Sequence, residues 1–213
     1  MADARDEAKR ETREALITAA REELAENGLE TASLDAICAR AGYTRGAFYV
    51  HFKDREELIV AVVDRILTTF HDRVIAGEGA AGDLDRTIAQ YVAMVLAGAP
   101  EVGGRDRWHF HHTLAACARS PVLKERYAAL QRQAMERVTS AAKAGQRAGT
   151  VRDDVPAASL GEVLVILTMG IAAMVDLGIP FDLQGGAKAL RRMVRAESAG
   201  KRAARRARRL HRA

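Results

Sequence analysis

Apolar residues return at intervals of three and four, block after block, and most blocks close on glycine or proline. Leu16, Ala20 and Leu24 share one helical face ahead of Asn27-Gly28. Leu58, Ile59, Val62, Val63, Ile66, Leu67 and Phe70 form an unbroken stripe, and Leu123, Tyr127, Leu130, Ala134, Val138 and Ala141 repeat the pattern. This spacing lines one side of an α-helix, whereas a strand needs alternation every two residues. Composition agrees, because aromatics make up only 5%, prolines number 4, and the 17 glycines cluster at segment ends. An all-α fold is expected, and 213 residues suffice for a real core.

Local signals set the boundaries. A first helix is expected over about 7–26, ended by Gly28. Ser33 offers an acceptor to the free amides of a short second helix, Leu34 to Ala41, closed by Gly42. Thr44 does the same for a third, through about Phe52, and Asp54 with Glu57 resembles a capping box for a fourth, through about Asp72. Longer helices are expected beyond Gly82: from Leu84 to about Gly98, from Asp106 to Arg119, from Pro121 to Gly145 or Gly149, from Pro156 onward, and from Gly186 to Glu197. The run Val163 to Val175 is apolar on nearly every side, but it falls short of the ~20 residues of a membrane span. It reads as a helix buried between its own bundle and another helix or a second subunit.

Charge is uneven. The net +5 arises in residues 188–213, with 11 Lys and Arg against one acid, while the remainder carries an acidic excess. A terminal run such as Lys201 to Arg212 is usually solvated, although it suits contact with a polyanion. The N-terminus is acidic and lacks the apolar core of a signal peptide. Cys38 and Cys117 lie in apolar helical stretches and read as reduced core residues. A cytoplasmic protein is expected, without membrane, cofactor or bound metal.

The second and third helices, joined only by Gly42 and Tyr43, form a helix-turn-helix shape whose second member suits the major groove of DNA. Phe48 and Phe52, four apart, face a core, which turns Arg45, Tyr49 and Lys53 another way. Gly46 and Ala47 leave little bulk where a backbone must approach a duplex. Arg45 suits a bidentate contact with guanine, while Tyr49, Lys53 and Arg55 suit phosphates, as do the helix N-termini at Ser33 and Thr44. Residues 1–55 hold nine bases against eleven acids, so affinity must rest on a local patch.

Read together, TASLDAICARAGYTRGAFYVHFKDREEL, Thr31 to Leu58, resembles the DNA-binding domain of the tetracycline-repressor (TetR) family. The resemblance implies backbone or groove contacts at Ser33, Thr44, Tyr49, His51, Lys53 and Arg55, and base contacts at Arg45, Gly46 and Ala47; Arg55 stands where Lys is commoner. It implies a DNA-binding domain over 7–55, a ligand-binding and dimerisation domain over 56–198 and a basic tail over 199–213. It also implies a homodimer on a palindromic operator, joined through Pro156 to Leu177 and Gly186 to Glu197, and released when a hydrophobic small molecule enters the bundle.

Candidate walls of that ligand site are Met94, Trp108, His109, Phe110, His112, Met135 and Met169, although Met and aromatics at helical spacing are as readily core. His109 and His112 would share a face, but no carboxylate or cysteine stands near enough in sequence to complete a metal site. Two rival readings are a DNA-binding architectural protein driven by the basic tail and a helical-bundle enzyme using the His109 to His112 cluster. The second lacks an evident nucleophile, a paired acid or a phosphate-cradling loop.

Overall fold

The computed structural model describes residues 2–75, 83–98 and 109–196. Among these the chain is helical, with no strand: α1 (Ala2–Thr31), α2 (Leu34–Ala41), α3 (Arg45–His51), α4 (Arg55–Val74), α5 (Leu84–Leu96), α6 (Phe110–Arg119), α7 (Pro121–Arg147), α8 (Ala157–Asp176) and α9 (Leu183–Val194). The basic tail, and the start once expected for α6 at Asp106, lie outside the described residues.

The caps fall where the side chains predict. Ser33 Oγ accepts from the Ala36 amide at 3.1 Å, Thr44 Oγ1 from Ala47 at 3.2 Å and Asp54 Oδ1 from Glu57 at 2.9 Å. Glu57 reaches back to the amide of Lys53 at 2.7 Å, one residue before the cap itself. Gly28, at φ 77°, ψ 169°, breaks the helical path of α1, and a second element continues it to Thr31. The last helix starts at Leu183 rather than Gly186, because Asp182 caps it through the Gly185 amide at 2.8 Å.

One core cluster runs from α1 through α2 and α3 into α4 and α7: Leu16, Leu24, Ile37, Phe48, Phe52, Leu58, Val62 and Val63 are fully enclosed together with Leu123. Each such side chain contributes about 1.5–3 kcal/mol by leaving water. Arg40 fastens α2 to α1 by ion pairs to Glu23 and Glu26. A second cluster lies where the second half of α7 meets the first half of α8, with Ala134, Val138, Ala141 and Ala142 against Leu160, Leu164 and Val165. A third, small cluster of Val74, Tyr91 and Met94 links α4 to α5.

At the crossing of α7 and α8 the backbones nearly touch. A Cβ on Gly161 would stand 3.0 Å from the Met135 carbonyl oxygen and 3.1 Å from the Thr139 amide nitrogen. A single antiparallel bridge, Val151 to Arg195, ties the turn after α7 to the end of α9.

As a 20-residue helix, α8 is long and apolar enough to cross a membrane by length and composition, so the length argument made from Val163 to Val175 alone does not hold. Nor is α8 buried on all sides. Leu160, Gly161, Leu164 and Val165 pack inward, while Val163 and Ile166 are 52% and 59% exposed and Leu167 and Leu177 are exposed beside them. Both cysteines are free, Cys38 buried and Cys117 half-buried.

Candidate nucleic-acid interface

Helix α3 is held from behind by its two phenylalanines. Phe48 and Phe52 are fully enclosed, with ring centroids 5.5 Å apart, and Arg13 of α1 lies over the Phe52 ring at 5.0 Å. The turn before it is made by Gly42 at φ 75°, ψ 24°, where the Tyr43 amide donates to the Cys38 carbonyl at 2.9 Å. This backbone conformation favours glycine because a Cβ would crowd it.

With that inner face fixed, Ser33, Thr44, Arg45, Gly46, Tyr49 and Lys53 are all exposed, and Ala47 is half-buried. Tyr49 is 58% exposed while its ring edge packs on Phe48 at 5.2 Å, so the ring is braced but its hydroxyl end is available. Arg45 Nε lies 2.9 Å from Asp35 of α2, an exposed ion pair that orients the guanidinium at little energetic gain. Gly46 has ordinary helical φ, and a Cβ there would meet only Thr44 Oγ1, at 3.6 Å. Nothing inside the protein requires glycine at this position.

Two of the candidate residues are set apart. His51 is half-buried and faces α1, in a groove lined by Asp6, Lys9, Arg10, Arg13 and Val50. Burial, helped by Lys9 and Arg13, holds its pKa below the usual histidine range. Arg55 is half-buried and lines a different groove, with Asn27, Glu56, His112 and Arg119. Helix α1 brings three further basic residues, Lys9, Arg10 and Arg13, which are not among the sequence candidates, beside the end of α3. Their signal was the spacing of Lys9 and Arg13, one turn apart.

Inside the bundle, two apolar cavities of about 230 and 70 Å³ share the walls Phe70, His71, Tyr91 and Thr168. The Tyr91 hydroxyl donates to the Thr168 carbonyl at 3.2 Å, and burial raises its pKa above that of a free tyrosine. Burial, aided by Arg137, pushes His71 down to about 4, so it is neutral at pH 7.

Of the sequence candidates, Phe110 and Met169 line the smaller cavity. Met94 is core in the third cluster, Met135 packs against the second, and His112 lines the groove near Arg55. Trp108 lies outside the described residues. His109 faces neither cavity. Its Nδ1 is 3.1 Å from Asp176 Oδ1, and His111 Nδ1 is 3.1 Å from Asp176 Oδ2. The carboxylate that sequence distance ruled out therefore arrives from the end of α8.

Residues 16–62 match the family model of bacterial regulatory proteins, tetR family. The chain is 27% identical over 173 residues to the transcriptional regulator UidR of Escherichia coli K12, covering 78% of this chain and 82% of that protein. It is 40% identical over 55 residues to the transcriptional repressor BepR of Brucella suis, covering 26% of each. Among solved structures, reduced NemR of E. coli superposes with a TM-score of 0.74 at 20% identity, covering 88% of this chain and 98% of that one. A SmeT–triclosan complex superposes at 0.65 with 26% identity, covering 88% and 93%. The matched residues contain the capped helix pair, the tight Gly42 turn and the exposed face of α3, so the chain carries, over residues 16–62, the domain shared by bacterial regulatory proteins of the tetR family.

Proposed function

We propose that this regulator is a homodimeric repressor that reads a palindromic operator with α3 and releases it when an apolar small molecule occupies the bundle. The observation that carries the DNA-reading part is Gly46: no internal contact or backbone angle calls for glycine, so its smallness serves close approach of something outside. Arg45 reads a base; Gly46 and Ala47 admit the duplex; Ser33, Thr44, Tyr49 and Lys53 hold phosphates, with the amide dipoles of two capped helix ends assisting. His51 and Arg55 take part from the margins of this surface, and Lys9 and Arg13 add local positive charge.

The exposed apolar strip of α8, with Met193 of α9, is the proposed subunit interface. An apolar strip of this kind on a soluble helix is stable once a second copy covers it, and twofold pairing sets two α3 helices ~34 Å apart, one turn of duplex. The paired cavities are the proposed effector site, because their walls offer apolar contact with few polar partners. The structural relative captured with triclosan supports a small apolar effector. Helix α4 is the lever: its first half lies in the core beneath α1 and α3, and its second half forms cavity wall.

Selection of binding sites from random duplex DNA, at near-physiological salt, tests the reading. An inverted repeat is expected. Recovery of no motif, with binding that vanishes as salt rises, would instead favour contact through the basic tail.

A further inference from the structure

We propose that His109, His111 and Asp176 form a site for a divalent transition ion of the zinc class, fastening the first turn of α6 to the last residue of α8. Helix α6 has no cap of its own. His109 occupies the N-cap position but its side chain does not cap the first-turn amides, and the cap comes instead from Asp176 Oδ2, which accepts from the His111 amide at 3.0 Å. That bond fixes the carboxylate. Both imidazoles then approach it through Nδ1 at 3.1 Å, and the ligand atoms of all three residues lie within 4.8 Å of one another.

A zinc ion holds nitrogen and oxygen donors at about 2.0–2.2 Å, so neighbouring donors in a tetrahedral shell stand about 3.3 Å apart. Each imidazole already stands near that distance from one of the two Asp176 oxygens, and rotation of the exposed His111 ring draws in a donor set whose atoms lie within 4.8 Å of one another. Asp176 is 7% exposed and rigidly held, while the more open His111 leaves a side for an ion to enter. His112 stands beside the set, its ring centroid 4.3 Å from that of His111, and its Nδ1 is buried without a hydrogen-bond partner among the described residues.

The donor chemistry selects the ion. Calcium and magnesium want shells of oxygen, and cuprous ions want thiolate or thioether sulfur. Two imidazoles with one carboxylate suit zinc, cobalt or nickel, and the first-turn amide acts as the outer hydrogen bond that orients a ligating carboxylate.

Ion binding here is independent of any DNA reading, and its test uses none. The full chain, stripped with a chelator, is titrated with Zn²⁺ by calorimetry and with Co²⁺ by visible absorption, alongside Asp176→Asn, His111→Gln and, as a control histidine in the basic tail of the sequence, His211→Gln. One ion per chain is expected, with the visible bands of four-coordinate cobalt, and affinity at least about 10-fold lower in the first two variants but not the third. Absence of binding, or binding unchanged in both Asp176→Asn and His111→Gln, would leave a hydrogen-bonded helix cap only and overturn the proposal. Circular dichroism checks folding. Should Asp176→Asn lose helix, His111→Gln decides alone, since that side chain is 57% exposed and its removal leaves the cap intact.

Discussion

His71 makes the stability of this protein depend on pH in a way that can be calculated. Its ring is 7% exposed, tilted against Phe70 at 5.6 Å and set in the wall of both cavities. Nearby, Arg137 is held by Asp72 at 2.7 Å and by the Ile75 carbonyl at 3.1 Å. Burial first, and that guanidinium second, lower the pKa from 6.5 to about 4. Between those values the unfolded chain binds more protons than the folded one, so stability is complete above the unfolded pKa and falls as pH falls. At 1.36 kcal/mol per unit, the loss is about 2 kcal/mol at pH 5 and saturates near ~3 kcal/mol below pH 4. Urea unfolding of the wild type and His71→Leu, at pH 7 and pH 5 and one fixed protein concentration, isolates this contribution from other titrating groups and from self-association. The variant should lose about 2 kcal/mol less than the wild type between the two pH values. An equal loss in both proteins would refute the assignment of a neutral, buried His71.

Three further outcomes are expected. Gly161→Ala should destabilise by about 1–3 kcal/mol in chemical denaturation, because the added Cβ meets backbone atoms of α7 that cannot rotate away. A gain in stability, the usual effect of alanine in a helix, would mean the crossing is looser than described. Ile166→Glu should weaken self-association by about 2 kcal/mol or more in sedimentation equilibrium, and an unchanged dimer would remove α8 from the interface. Arg45→Ala should relax preference at one operator position by about 1–3 kcal/mol in a binding-site selection, and an unaltered preference would deny it a base contact.

Capping is a contact within three or four residues, which is why Ser33, Thr44 and the Asp54–Glu57 pair could be read directly from the chain. The start of α9 was misplaced for a related reason. Gly185 reads as a break ahead of a helix opening at Gly186, but Asp182 supplies enough local bonding to wind Leu183 to Gly185 into the first turn. The exposed face of α3 was equally legible, since Phe48 and Phe52 fix its rotation. The cavities were not. Their volume is what α4, α5, α7, α8 and α9 fail to fill between them, and no single stretch encodes that; Phe70 and His71 look like the end of a core stripe, while Met94 is core. The His109–Asp176 meeting was invisible as well, because 67 residues and the packing of α6 on α8 intervene.

The double employment of α4 bears on anyone who would adapt this protein as a sensor. Leu58, Val62 and Val63 seat the first three helices, and three turns further on Phe70, His71 and Val74 are cavity wall, on one continuous rod. Repainting the wall to admit a different molecule therefore also edits the seat. With the cavities as the proposed effector site, retuned selectivity should come with an altered resting output, and each redesign of the wall will need the operator end to be rebalanced with it.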